Sequence, residues 1–101
     1  MSNTPWLPKG PALLFAPADR PERFSKAAER SDMVILDLED GCRAENRAEA
    51  RQNVINADLD PERTIVRINA VDSSDFAADI AAVVDSPLRT VMVPKVESAV
   101  S

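Results

Sequence analysis

The 101-residue sequence predicts an α/β protein built of repeated βα units around a parallel sheet. Three observations lead there. Four short apolar runs, Ala12–Ala16, Met33–Leu36 extending to Leu38, Thr64–Ile68 and Thr90–Val93, are spread along the chain, and the last three are rich in β-branched residues. None of them alternates apolar with polar, so they read as strands buried on both faces, as in a parallel sheet. The stretches between them carry helical periodicity.

Taken in order, the first strand leads to Pro21, which suits a first helical turn, with Phe24, Ala27 and Ala28 on the inner side of the helix. After the second strand, Ala44, Ala48, Arg51 and Ile55 share one face of a second helix, with the arginine stem packing at its edge. Asp60-Pro61-Glu62-Arg63 is a turn before the third strand. Phe76, Ile80, Val83 and Val84 form the apolar face of a third helix, with Ser73 or Ser74 as its N-cap. Ser86-Pro87 ends that helix before the fourth strand, and a fourth helix is expected to begin at Ser98. Residues 1–11, with three prolines, read as an irregular leader. Two architectures fit this order: a barrel segment, or an open doubly wound sheet.

Composition narrows the chemistry. Histidine is absent, which excludes a Ser-His-Asp triad, a Cys-His pair and histidine metal ligands. Two glycines cannot build a dinucleotide or phosphate loop. One cysteine, Cys42, cannot close an intrachain disulfide, so a reducing, cytoplasmic setting is expected, with Cys42 as a packed or half-exposed thiol. Twelve basic residues against seventeen acidic give a net charge of −5, which disfavours nucleic acid as a partner. No apolar run approaches the roughly 20 residues of a membrane span.

In βα architectures the loops after the carboxyl ends of the strands carry the chemistry. Those positions hold Asp19 and Arg20 after the first strand, then Asp37, Glu39 and Asp40 at the end of the second. Arg67 and Asn69 follow on the third, and Lys95 and Glu97 after the fourth. The three carboxylates in Asp37-Leu38-Glu39-Asp40 could hold Mg²⁺ directly or through water, orient cationic side chains, or simply cap the next element. Arg67 stands out because a buried strand does not ordinarily carry an arginine. Its guanidinium needs an anion: a neighbouring carboxylate such as Glu39 or Asp40, or the carboxylate of a substrate. Arg20 could bind an anionic ligand near a helix start, and Lys95 a phosphate or carboxylate.

Four blocks carry a family resemblance: Leu14-Phe15-Ala16-Pro17-Ala18-Asp19-Arg20-Pro21-Glu22-Arg23-Phe24, Val34-Ile35-Leu36-Asp37-Leu38-Glu39-Asp40-Gly41, Val66-Arg67-Ile68-Asn69 and Val91-Met92-Val93-Pro94-Lys95-Val96-Glu97-Ser98. In this order and spacing the sequence resembles the citrate lyase beta subunit family, within the HpcH/HpaI aldolases and malyl-CoA lyases. The resemblance implies that residues 12–101 are a partial domain, the N-terminal half (four βα units) of a TIM (β/α)₈ barrel, truncated after strand four. It implies a Mg²⁺-dependent carbon–carbon lyase acting on a 3-hydroxyacyl-CoA such as citryl-CoA or malyl-CoA, releasing an acyl-CoA and an oxo-acid. Arg67 matches the family's substrate-binding arginine, and Glu39 and Asp40 line the same catalytic pocket. Arg20 and Lys95 match positions near its mouth. The family's direct metal carboxylates lie on strands five and six, beyond Ser101, which leaves Glu39 and Asp40 facing the ion through water. A homo-oligomer, often trimeric, is the family's habit. One departure is Asn46-Arg47, where many members have a lysine.

Two other readings stand beside this one. A receiver-like signalling domain with an open sheet would also place acids at strand ends, although strand one ends in Pro17-Ala18 and strand three carries Arg67. The 101-residue chain alone is also readable as a non-catalytic fragment, inactive by itself, whose outer strands invite self-association.

Overall fold

The computed structural model describes residues 12–39 and 41–94. The expected leader, Asp40, Lys95, Glu97 and the helix start at Ser98 lie outside the described residues. Among the described residues, four strands alternate with three helices: β1 (Leu13–Pro17), α1 (Phe24–Arg30), β2 (Met33–Asp37), α2 (Arg47–Ile55), β3 (Thr64–Arg67), α3 (Phe76–Asp85) and β4 (Thr90–Met92). Single 3₁₀ turns, Pro21–Arg23 and Ala44–Asn46, lead into α1 and α2. The strands pair in parallel in the order β1-β2-β3-β4. A doubly wound sheet reverses its strand order where the winding changes sides. No reversal occurs among the described strands, so the open-sheet alternative gives way to the sequential order of a barrel segment.

Register divides the side chains into two faces. Ala16, Val34, Leu36, Thr64 and Val66 lie on one, continued past the strand ends by Ala18, Leu38 and Ile68. Their apolar members pack with Phe24 of α1, Ala50 and Val54 of α2 and Val83 of α3 into the core. Fully burying each Val, Leu or Ile there contributes about 1.5–3 kcal/mol. The opposite face carries Leu13, Phe15, Ile35, Asp37, Ile65 and Arg67. The reading of every strand as buried on both faces holds only for β2 beyond Met33. Ile35 lies between Phe15 and Ile65 in register and is fully covered. On the outer strand β1, Leu13 and Phe15 are each 51% exposed, because none of the described helices packs on that face.

The helix faces are partly redrawn. In α1, Phe24 is buried and Ala27 and Ala28 pack against the core, as the periodicity predicts. In α2, Ala44 precedes the helix and Ala48 is exposed, whereas Ala50 and Val54 are buried and Arg47 and Arg51 turn toward α3. In α3, Val84 is 75% exposed and Asp79 is fully buried in its stead. Neither serine caps α3 as expected. Asp75 occupies the N-cap, and its carboxylate is taken by Arg47 and Arg51 instead of a helix N–H. The turn before β3 forms as read, with the Arg63 N–H donating to Asp60 O at 3.0 Å. The α3 terminus also forms as read: Ser86 Oγ donates to Val83 O and accepts the Leu88 N–H.

Candidate active site

The site grows from a register pairing. Asp37 ends β2 and Arg67 ends β3, and the two are Cα partners in the ladder, so their side chains leave the same face side by side. Arg67 Nε donates to Asp37 Oδ1 at 3.0 Å and Nη2 to Oδ2 at 2.6 Å, a bidentate pair. Glu39 Oε1 lies farther away, 3.6 Å from Nε. Among the described residues the principal partner of Arg67 is Asp37, with the expected Glu39 joining it as a longer ion pair, while the expected Asp40 lies outside the described residues. The reason is geometric. Asp37 is the carboxylate directly in register with Arg67, while Glu39 lies beyond the strand end.

Asp37 also shapes the turn that follows it. Its Oδ1 accepts the Glu39 N–H at 2.9 Å and its Oδ2 the Gly41 N–H at 2.8 Å. Burial by itself would push this carboxyl up. Arg67 and the two backbone N–H groups more than offset that and hold it below the ordinary carboxylate range. Gly41 is required by contact: a Cβ there would stand 2.7 Å from Asp37 Oδ2. On the other side, the Arg67 guanidinium carbon sits 4.8 Å from the centre of the Phe15 ring, in cation–π range. Phe15 belongs to the site as well, although its place in an apolar run predicts only a strand role. Its signal was register: two residues from the end of β1, it faces the same way as Asp37 and Arg67.

The other named residues disperse. Arg20 follows β1, exposed, with its nearest carboxylate Glu22 at 3.8 Å, so the structure does not bring it to Arg67. Asp19 accepts a hydrogen bond from Asn46 Nδ2 at 2.8 Å. Asn69 is buried and works structurally: its N–H and its Nδ2 both donate to Asp79 Oδ2, and Nδ2 also reaches Leu38 O at 3.0 Å. Cys42 is a buried thiol pushed up to about 11 by burial, with the Asp19 charge adding to it. It is inert at neutral pH, as expected.

Among the described residues, no three acidic or thiol groups converge to hold a metal ion. Asp37 is committed to Arg67 and to two N–H groups, which leaves Glu39 as the other described carboxylate of the site. These residues do not make a Mg²⁺ centre. What they do make is a fixed guanidinium at the carboxyl ends of the strands, on the face that none of the described helices covers, which is suited to an anionic ligand.

The family model described as HpcH/HpaI aldolase/citrate lyase matches residues 12–101. The chain belongs to the HpcH/HpaI aldolase/citrate lyase family. Over 90 residues it is 54% identical to the citrate lyase subunit beta-like protein of Mycobacterium tuberculosis, covering 89% of this chain and 33% of that protein. It is 37% identical to the L-malyl-CoA/beta-methylmalyl-CoA lyase of Cereibacter sphaeroides over 94 residues, covering 85% and 30%. The crystal structure of M. tuberculosis CitE in complex with magnesium, acetoacetate and coenzyme A superposes with a TM-score of 0.83 at 54% identity, covering 90% of this chain and 34% of that one. The chain therefore spans about a third of the length of these HpcH/HpaI relatives, rather than the half that four of eight strands suggested.

Proposed function

We propose that the native gene product carrying this chain is a carbon–carbon lyase that cleaves a 3-hydroxyacyl-CoA, of the citryl-CoA or malyl-CoA kind, into an acyl-CoA and an oxo-acid. The observation that carries the reading is Arg67, fixed by Asp37 at the carboxyl end of β3 on the helix-free face, in a chain of the HpcH/HpaI family. Membership supports a lyase, the relative named as a malyl-CoA lyase supports a thioester substrate, and the M. tuberculosis CitE structure with magnesium and coenzyme A supports both the thioester and the metal.

In this reading Arg67 receives the carboxylate of the substrate's oxo-acid portion. Asp37 and the Phe15 ring hold the guanidinium in one orientation before substrate arrives, so little rotamer entropy is lost on binding. Glu39, 3.6 Å from Arg67, limits how the guanidinium can turn. The described groups place one formal cation, Arg67, among two carboxylates, Asp37 and Glu39. When bound, Mg²⁺ would add positive charge for an anionic substrate and Lewis-acid polarisation of carbonyl oxygen. The family resemblance adds Asp40 and Lys95 to this proposal. A homo-oligomer in the cytoplasm belongs to the same proposal.

The test is direct. The purified native gene product, given citryl-CoA or malyl-CoA with Mg²⁺, releases a free oxo-acid and the shorter acyl-CoA, and chelation of the metal stops it. Arg67→Ala removes turnover while leaving the circular dichroism spectrum intact. Normal turnover by a folded Arg67→Ala protein would sink the assignment. Size-exclusion chromatography with light scattering reads the oligomer.

A further inference from the structure

The acidic turn after β2 is held from two sides. Asp37 takes its N–H groups, as described. Its carbonyl groups are taken by a residue of the opposite, helix-packed layer: Arg47, first residue of α2, donates from Nε to Leu38 O at 3.2 Å and from Nη2 to Glu39 O at 3.1 Å. The third arm of the same guanidinium, Nη1, is anchored on Asp75 of α3 at 2.8 Å. Asp75 is fixed in turn by Arg51, at 2.6 Å. All three polar nitrogens of Arg47 are thus spent, two of them on backbone of the candidate site.

The α2 region serves the neighbouring loop in the same way. Asn46 holds the Asp19 carboxylate and Asn53 donates to Ala18 O at 2.9 Å. Leu38 O keeps a second donor, Asn69 Nδ2, if Arg47 is removed. Glu39 O has Arg47 as its donor, so the Glu39 end of the turn depends on it.

We propose that Arg47 is a positioning residue for the active site: by clamping the Leu38 and Glu39 carbonyls to α3 it fixes the turn that aims Glu39 and, through Asp37, Arg67. The assignment of a catalytic purpose to that turn rests on the lyase reading above; the clamp does not. A lysine at this position can still reach a carbonyl with one ammonium group, whereas alanine or glutamine cannot supply the three-armed fork.

The experiment follows backbone amide hydrogen exchange by NMR in the chain and in its Arg47→Ala, Arg47→Gln and Arg47→Lys variants. Losing charge-assisted hydrogen bonds to the turn speeds exchange of the Glu39 and Gly41 amides roughly tenfold or more in Arg47→Ala. Val34, whose N–H donates to Arg63 O at the far end of β2, keeps its rate. The Arg67 Nε–H resonance moves toward the free-arginine position, and Arg47→Lys restores part of both effects. Uniform acceleration at Val34, Glu39 and Gly41 would overturn the proposal in favour of a merely stabilising ion pair, as would unchanged Glu39 and Gly41 rates in Arg47→Ala. If alanine prevents folding, Arg47→Gln gives the same reading with less lost packing. These outcomes do not depend on turnover, so an inactive native gene product would remove the lyase reading and leave the clamp to stand or fall by itself.

Discussion

Two arginine–aspartate clusters flank the sheet, one on each side, and they use the same chemistry for different ends. On the helix side, Arg51 spends Nε on Asp79 and Nη2 on Asp75, bridging α2 to two successive turns of α3. Asp79 is fully buried and also accepts two hydrogen bonds from Asn69. That guanidinium is a cross-link. On the other side, Arg67 spends Nε and Nη2 on the single carboxylate of Asp37 and lies against a half-exposed phenylalanine ring. That guanidinium is oriented chiefly by one carboxylate, with Glu39 as a longer second contact. Two arms on one partner fix the direction of the group; two arms on two partners fix the distance between elements. The lesson is that an ion pair's role is read from how its arms are distributed and from which face it occupies.

The largest effect that can break this comparison is Asp79→Ala. It strands a buried Arg51 arm and two Asn69 donors, and should cost about 3–5 kcal/mol in urea unfolding at pH 7. A loss under 1 kcal/mol would mean the helix-side cluster is not the cross-link described.

Asp37→Asn is next, at about 2–3 kcal/mol, less than a wholly buried pair because Arg67 is partly exposed. Its pH dependence sharpens the contrast. The folded Asp37 pKa lies below the ordinary value of 3.8, so its contribution is complete above that value. It is lost as pH falls through the lower folded value. Unfolding curves of wild type and Asp37→Asn should therefore differ at pH 7 and converge toward pH 2. Asp75, drawn down chiefly by Arg51, should add acid sensitivity of the same sign on the helix side.

Gly41→Ala comes third. The new Cβ meets Asp37 Oδ2, which is tied on both sides and cannot swing away cheaply. A cost of about 1–2 kcal/mol is expected, with the Arg67 Nε–H resonance shifted while Asp79-dependent stability is untouched. Smallest is Val84→Ser on exposed α3 surface: within about 0.5 kcal/mol by thermal unfolding, although its sequence position suggests a core valine.

Much of this molecule could be read before it was seen. The strands fall within or beside the four apolar runs, because β-branched clusters bounded by turn residues are a local signal. The Asp60-Pro61 turn and the Ser86-Pro87 stop are equally local. Arg67 was legible as an anomaly, a charge in an apolar run. What could not be read was anything that needs both members of a pair. Periodicity places Arg51 at the edge of an apolar face and gives Asp79 no inward role, since it scores each as polar until the other is known to neutralise it. Helical spacing places Val84 inward, and only the buried Asp79 shows how the helix is rotated.

The sequence by itself determined the order of βα units, the family and the residue most suited to bind an anion. Local propensity and motif spacing are written along the chain. The tertiary structure decided that Asp37 rather than Glu39 holds Arg67, that Phe15 lies beneath the guanidinium, and that Arg47 reaches across to the acidic turn. Each depends on strand register and helix rotation, which bring together residues about thirty or more positions apart at Asp37–Arg67 and Phe15–Arg67. No local rule fixes those separations, because they are set by how whole elements pack.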